Sequence, residues 1–217
     1  MSNKNIEMIQ VVSTALNNLD VPVIFIGGAT VSLYLNLDTA EEVRPTEDVD
    51  VIIEILSSLE YSKLSEKLLK LRFMPDTTKG APLCRWKYLG VSVDIMPMDE
   101  KVLGFSNTYY KEAFKIQNKV LLPNGEEIRI LPIEHFLLIK IEAFKNRGLE
   151  DPRLSKDLED IVAILKDGKE IDDLETMVSL KSKLNQLFED KSTVEAIRAF
   201  TSSAEEFNLI GERLNGK

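Results

Sequence analysis

The hydrophobic pattern of this chain changes its period near residue 131, and that change limits the folds open to it. Before residue 131, apolar and polar residues alternate in short segments that end at glycine- and proline-containing turns, which is typical of strands. After Pro132, apolar residues recur at helical spacing. The pattern predicts an α+β protein, with a mixed β-sheet and flanking helices over residues 1–131 and a helical bundle over residues 132–217.

Composition excludes several classes of protein. The chain has 217 residues, 44% of them hydrophobic and 29% charged, which is typical of a globular protein. The single cysteine, Cys84, and the single histidine, His135, exclude an intramolecular disulfide and a zinc site built from Cys and His. No apolar segment is long enough to span a membrane, and residues 1–7 lack the order of a secretory signal. We therefore expect a cytoplasmic protein, and the net charge of -9 disfavours broad binding to nucleic acid.

The N-terminal part reads as an ordered series of short elements. We expect helices at 5–19, 29–37 and 59–71, strands at 21–26 and 48–55, a polar loop at 38–47, and strand pairs at 83–88 with 91–96 and at 115–122 with 126–131. The 83–96 pair turns at Leu89-Gly90, which indicates a hairpin. The first predicted helix after residue 131 runs from Pro132 to about Arg147.

Three aspartates are the strongest chemical signal. Asp48 and Asp50 project from one face of the predicted strand at 48–55, and Asp94 projects from the polar face of the strand at 91–96. Strands are depleted in aspartate, and adjacent carboxylates repel each other unless a cation lies between them. Three such acids suit two divalent metal ions of the kind that assist phosphoryl transfer. The alternative is that these acids are merely solvated at the ends of strands.

A glycine pair lies between the first predicted strand and the helix that follows it. Gly27 and Gly28 have no side chains, so a phosphate group can approach the backbone N–H groups there, and Thr30 can add a hydroxyl. The spacing matches neither the dinucleotide-binding glycine motif nor the P-loop. A plain tight turn is the alternative interpretation.

The order of these parts resembles the nucleotidyltransferase superfamily with a polymerase-β-like core, and within it the AbiEii-type toxins of abortive-infection and toxin–antitoxin systems. The resemblance covers about Val23 to Leu165. Two helical motifs of that family are also present, and their residues here are Lys140, Ala143 and Arg147 in the first, and Arg153, Lys156, Asp157 and Asp160 in the second. The second motif has one extra residue after its arginine, and Gly28 stands where the family often has serine.

The resemblance implies an enzyme that transfers a nucleoside monophosphate from a nucleoside triphosphate to an acceptor hydroxyl with two Mg²⁺ ions. It implies metal binding by Asp48, Asp50 and Asp94, which would be the catalytic residues. It also implies phosphate binding by a wider set of residues, namely Gly27, Gly28, Thr30, Lys140, Arg147 and Lys156, with Asp157 supporting the site. The acceptor would be a tRNA end or a protein side chain, and a cognate antitoxin would be a partner.

Other interpretations of the same residues remain open. Lys140 and Arg147 lie seven residues apart on an apolar helix face, so they can also reach solvent with their stems buried. The acceptor can instead be a small molecule such as an aminoglycoside. A non-catalytic nucleotide-binding module is the alternative from another functional class.

Overall fold

The computed structural model describes residues 3–40, 43–104, 109–168 and 178–215. Its internal contacts divide the chain into two compact units, which we describe separately. Unit 1 comprises Met1–Thr30 and Arg44–Pro132, and unit 2 comprises Val31–Val43 and Ile133–Lys217. The change at Pro132 lies next to the boundary expected from the sequence, whereas the segment Val31–Val43 groups with the C-terminal helices.

Unit 1 is built on one seven-stranded sheet of order β3-β4-β5-β2-β1-β7-β6. The strands are β1 (Val23–Ile26), β2 (Asp48–Ile53), β3 (Met74–Pro75), β4 (Arg85–Tyr88), β5 (Val91–Pro97), β6 (Asn118–Leu121) and β7 (Glu127–Ile130). Strand β2 pairs in parallel with β5 and antiparallel with β1, so the sheet is mixed. The α+β fold class predicted from the sequence is confirmed.

Strand β2 lies in the middle of this sheet. Val49 and Val51 are fully buried, and Asp48 and Asp50, which alternate with them, are partly exposed, as the alternation predicted. Ile52 and Ile53 are both fully buried, so both faces of the strand are covered beyond Val51. The strand therefore has a polar face only in its first half, and it ends at Ile53 rather than at residue 55.

The helices occur in both units. They are α1 (Lys4–Leu16), α2 (Val31–Tyr34), α3 (Leu37–Ala40), α4 (Ser58–Lys70), α5 (Glu100–Leu103), α6 (Tyr110–Ile116), α7 (Ile133–Arg147), α8 (Lys156–Asp167), α9 (Val178–Leu187), α10 (Lys191–Ala199) and α11 (Ala204–Asn215). Among the described residues, no helix combines the length and apolar character that crossing a lipid bilayer requires.

Three sequence predictions about local structure were wrong. The single helix expected at 29–37 is a 3₁₀ turn, Gly28–Thr30, followed by the short helix α2. The loop expected at 38–47 begins inside α3, and residues 41–42 lie outside the described part of the chain. Helix α6 replaces the start of the strand predicted at 115–122, because the backbone becomes extended only at Gln117.

Unit 2 is a helical bundle centred on α7 and α8. Phe136 and Phe144 of α7 are buried, as are Ile161 and Leu165 of α8. The ring of Tyr34 packs on Phe136 with centroids 4.9 Å apart, which is one reason why the segment containing α2 belongs to this unit. The sequence correctly predicted a helical C-terminal part.

Candidate active site

The three aspartates of the sequence analysis lie side by side on two neighbouring strands. Asp48 and Asp50 are at the start of β2, and in the parallel register Asp50 is paired with Asp94 of β5 while Asp48 is paired with Ser92. Residues two apart on a strand share a face, and paired residues on adjacent strands project to the same side. Unit 1 therefore brings all three carboxylates to one face of the sheet.

Arg85 of β4 holds two of these acids. Its Nε lies 2.8 Å from Oδ1 of Asp94, and its Nη2 lies 2.8 Å from Oδ2 of Asp94 and 2.7 Å from Oδ2 of Asp48. Arg85 is the antiparallel partner of Asp94, so the hairpin places the guanidinium beside both carboxylates. The hydrogen bond to Asp94 is the main cause that raises the pKa of Arg85, which therefore stays charged.

The donor chemistry of this group suits a hard cation such as Mg²⁺, which prefers carboxylate oxygens. The guanidinium of Arg85 already acts as a cation between Asp48 and Asp94. Within the residues that the structure describes, no group of three or more His, Cys, Asp and Glu side chains is arranged to hold a metal ion. Metal binding by Asp48, Asp50 and Asp94 stays a prediction, and an ion there would compete with Arg85 for the oxygens that it contacts.

Gly27 is necessary for the position of the Asp50 side chain. Its φ of +76° is a conformation that residues with side chains rarely adopt, and a Cβ added there would lie 2.7 Å from Cγ of Asp50 and overlap its carboxylate. The lack of a side chain at Gly27 thus lets the Asp50 carboxylate pack against the backbone that follows β1.

We expect Gly27→Ala to destabilise the protein by about 3 kcal/mol, since it adds a steric clash to the cost of a positive φ. Gly90→Ala is the matched control: Gly90 has a φ of +85° in the β4–β5 turn, and an added Cβ would meet nothing within 4 Å. The control should lose only about 1 kcal/mol. Urea unfolding measures both values, and equal losses would show that Asp50 does not need Gly27.

The hydroxyl of Thr30 has a local partner. It donates to the carbonyl of Gly27 at 2.9 Å, and the side chain is fully buried. The backbone N–H of Thr30 also donates to that carbonyl, at 3.2 Å. These bonds shape the turn that contains Gly28, and a direct role of Thr30 in phosphate binding stays a prediction.

Asn5 was not predicted as a site residue, yet it fixes the approach to β2. Its buried side-chain amide donates to the carbonyl of Arg44 at 3.0 Å and accepts from the N–H of Thr46 at 2.9 Å. The hydroxyl of Thr46 in turn contacts the carbonyl of Asp48 at 3.1 Å. Helix α1 thereby sets where the acidic strand begins.

Unit 2 contains a second cluster of charged side chains, in which α7 meets α8. The ammonium group of Lys140 pairs with Asp157 at 3.0 Å and with Asp160 at 2.6 Å, and all three side chains are buried. The guanidinium of Arg147 binds both carboxylate oxygens of Asp157, at 2.7 and 3.0 Å, and its side chain is 71% exposed. Four residues of the two helical motifs are therefore brought together.

The other two cations of those motifs are Lys156 and Arg153. Lys156 is exposed in the first turn of α8, and Asp160, four residues further along the helix, pairs with Lys140 at 2.6 Å. Arg153 contacts Glu195 of α10 at 3.2 Å on the surface. Sequence spacing within α8 could not reveal the pairing because Lys140 belongs to another helix.

The charge cluster predicts a dependence of stability on pH. Burial raises the pKa of Asp157, but the hydrogen bond from Arg147 and the charge of Lys140 outweigh it and lower the pKa overall. A lowered carboxyl pKa contributes stability that is complete above the unfolded value of 3.8 and is lost as pH falls through the folded value. We expect the free energy of unfolding, measured in urea, to fall more steeply in the wild type than in Asp157→Asn as the pH is lowered below 3.8. Parallel curves would contradict this assignment.

Comparisons with known proteins agree with the fold. No protein-family model matches the chain, and no curated protein sequence matches it. A nucleotidyltransferase-like antigenic protein from Paracoccidioides brasiliensis has a similar structure, with a TM-score of 0.57 and 19% identity over 94% of this chain and 97% of that one. The chain thus has a nucleotidyltransferase-like fold.

Two structures of the antibiotic-resistance factor ANT(2'')-Ia are also similar, more distantly. The solution structure has a TM-score of 0.47 with 11% identity, over 89% of each chain. The crystal structure in complex with adenylyl-2''-tobramycin has a TM-score of 0.45 with 12% identity, over 90% of this chain and 95% of that one.

Proposed function

We propose that this protein is a metal-dependent nucleotidyltransferase, which transfers a nucleoside monophosphate from a nucleoside triphosphate to an acceptor hydroxyl and releases pyrophosphate. One observation carries the proposal: in a nucleotidyltransferase-like fold, Asp50 of β2 is paired in parallel with Asp94 of β5, and Asp48 lies on the same face. Carboxylates so arranged at one face of a sheet suit phosphoryl transfer.

The acids have distinct roles in this proposal. Asp48, Asp50 and Asp94 would hold Mg²⁺ ions, which would supply positive charge at the transferred phosphate and the departing pyrophosphate. Asp94 also accepts the proton of the acceptor hydroxyl, a role that needs a carboxylate within hydrogen-bond reach of that hydroxyl. Gly27 keeps the Asp50 carboxylate in place. The backbone N–H groups of Gly27 and Gly28 are the phosphate contacts in this proposal.

We also propose phosphate binding by basic residues of unit 2. Arg147 and Lys156 are the proposed phosphate ligands because both side chains are exposed, and a guanidinium binds phosphate oxygens in pairs. Asp157 orients Arg147 through two hydrogen bonds, and Lys140 contributes by holding Asp157 in its buried position. Thr30 stabilises the glycine turn through the hydrogen bond from its hydroxyl to the carbonyl of Gly27.

The biological role that we propose is that of an AbiEii-like toxin of the cytoplasm, with a tRNA end or a protein side chain as acceptor and an antitoxin that neutralises it. The motif formed by Lys140, Arg147, Lys156 and Asp157 supports this choice. An aminoglycoside is the competing acceptor.

The test is incubation of the purified protein with each α-labelled nucleoside triphosphate and Mg²⁺, in separate reactions with tRNA, with a cell protein extract and with an aminoglycoside. We expect pyrophosphate release and label on tRNA or protein. Label on the drug alone would reject the toxin role. Nucleotide binding without any transfer would reject the enzyme and leave a nucleotide-binding module.

A further inference from the structure

Arg85 occupies the position that a cation shared by Asp48 and Asp94 would take. Its Nη2 atom is within 2.8 Å of one oxygen of each carboxylate, and its Nε atom holds the second oxygen of Asp94. A magnesium ion bound to those two oxygens would lie about 2.0–2.1 Å from each, so it would place a second positive charge next to the guanidinium. The guanidinium and the ion therefore compete for the same carboxylates.

The reason for this contact is electrostatic. Asp48 and Asp94 lie on adjacent strands, with side chains 31% and 12% exposed, so water screens their mutual repulsion only in part. Arg85 extends from β4 and pairs with both, which offsets part of their negative charge, and its planar fork matches the Asp94 carboxylate in two parallel hydrogen bonds. The acidic face is thereby assembled before any ligand arrives.

We propose that Arg85 is a built-in competitor of the divalent cation, which holds Asp48 and Asp94 in place without metal and must leave when metal binds. The inference rests on the proposed function because it takes these acids as metal ligands. It makes Arg85 a positioning residue with two opposite effects: it stabilises the metal-free protein, and it weakens the apparent affinity for metal because its displacement costs free energy.

The test compares wild type, Arg85→Gln and Lys87→Gln without nucleotide. Lys87 is two residues along β4, on the same face as Arg85, but it pairs with Asp76, so its change removes one positive charge and leaves the acids untouched. Electron paramagnetic resonance of free Mn²⁺ gives the affinity, and thermal unfolding in EDTA gives the metal-free stability.

We expect Arg85→Gln to bind Mn²⁺ about tenfold more tightly than wild type, in the usual range for coupled sites, and to melt at a lower temperature in EDTA. Lys87→Gln should match wild type in both measurements, and Arg85→Gln with Asp94→Asn should lose the added affinity. If Arg85→Gln does not fold, Arg85→Lys, which keeps the charge but lacks the fork, should show a smaller rise in affinity. Equal or weaker Mn²⁺ binding by the Arg85 variants, or no binding by any chain, would overturn the proposal.

The two proposals fail in different ways. A wild type that transfers nucleotide, combined with an Arg85→Gln variant that gains no Mn²⁺ affinity, would preserve the function and reject the role of Arg85. Tighter Mn²⁺ binding by Arg85→Gln, with no nucleotide transfer by the wild type or any variant, would support the role of Arg85 as a competitor of the metal ion and reject the proposed enzymatic function.

Discussion

Replacing Asp50 with asparagine should lower the rate of nucleotide transfer about 10³-fold, the scale expected when a fixed electrostatic group is lost from a reaction site. Asn has nearly the shape of Asp, so packing against Gly27 is retained while the negative charge is removed. The thermal unfolding temperature should change little. A steady-state assay of pyrophosphate release, run beside thermal unfolding, measures both quantities.

Glu54→Gln is the control for Asp50→Asn. Glu54 follows the other end of β2 and is exposed, so its change removes the same charge without touching the acidic face. Its transfer rate should stay within about twofold of wild type, as for a surface substitution. A rate in Asp50→Asn within about tenfold of wild type would mean that Asp50 does not act in the reaction, and its proposed role as a metal ligand would fail.

Local pattern predicted much of unit 1 because strand alternation and turn chemistry are local properties. The turn at Leu89-Gly90 is observed, with φ values of +45° and +85° that match a two-residue hairpin turn. That turn sets the register of β4 and β5, which pairs Arg85 with Asp94. The contact between Arg85 and Asp94 could therefore have been predicted from the sequence, since the hairpin places these two residues opposite each other.

Other features depend on pairings that no local pattern encodes. The parallel register that sets Asp50 beside Asp94 joins strands separated by helix α4 and the β3–β4 pair, so its register depends on how the whole sheet packs. The buried role of Lys140 was hidden in a similar way, because its two acid partners lie on the next helix. Spacing showed which face each residue occupies, and tertiary structure decided what that face meets.

Lys140→Met should destabilise unit 2 by about 3–5 kcal/mol, the cost of removing one partner from a buried ion pair. Methionine fills a similar volume, but Asp157 and Asp160, with side chains 4% and 2% exposed, would lose the ammonium group that pairs with both. Urea unfolding gives the change in free energy. Lys145→Met, on the same helix but bonded to Gln186 at the surface, should cost less than about 1 kcal/mol.

A second substitution separates a structural role of Lys140 from direct phosphate binding. Adding Asp160→Asn to Lys140→Met removes one of the buried charges left without its partner, so part of the lost stability should return. If Lys140 instead served the triphosphate directly, Lys140→Met would keep its stability, and calorimetry would show weaker nucleotide binding that Asp160→Asn does not restore. The geometry favours the first result, because a lysine already shared by two buried carboxylates can bind phosphate only by giving up its ion pairs with both.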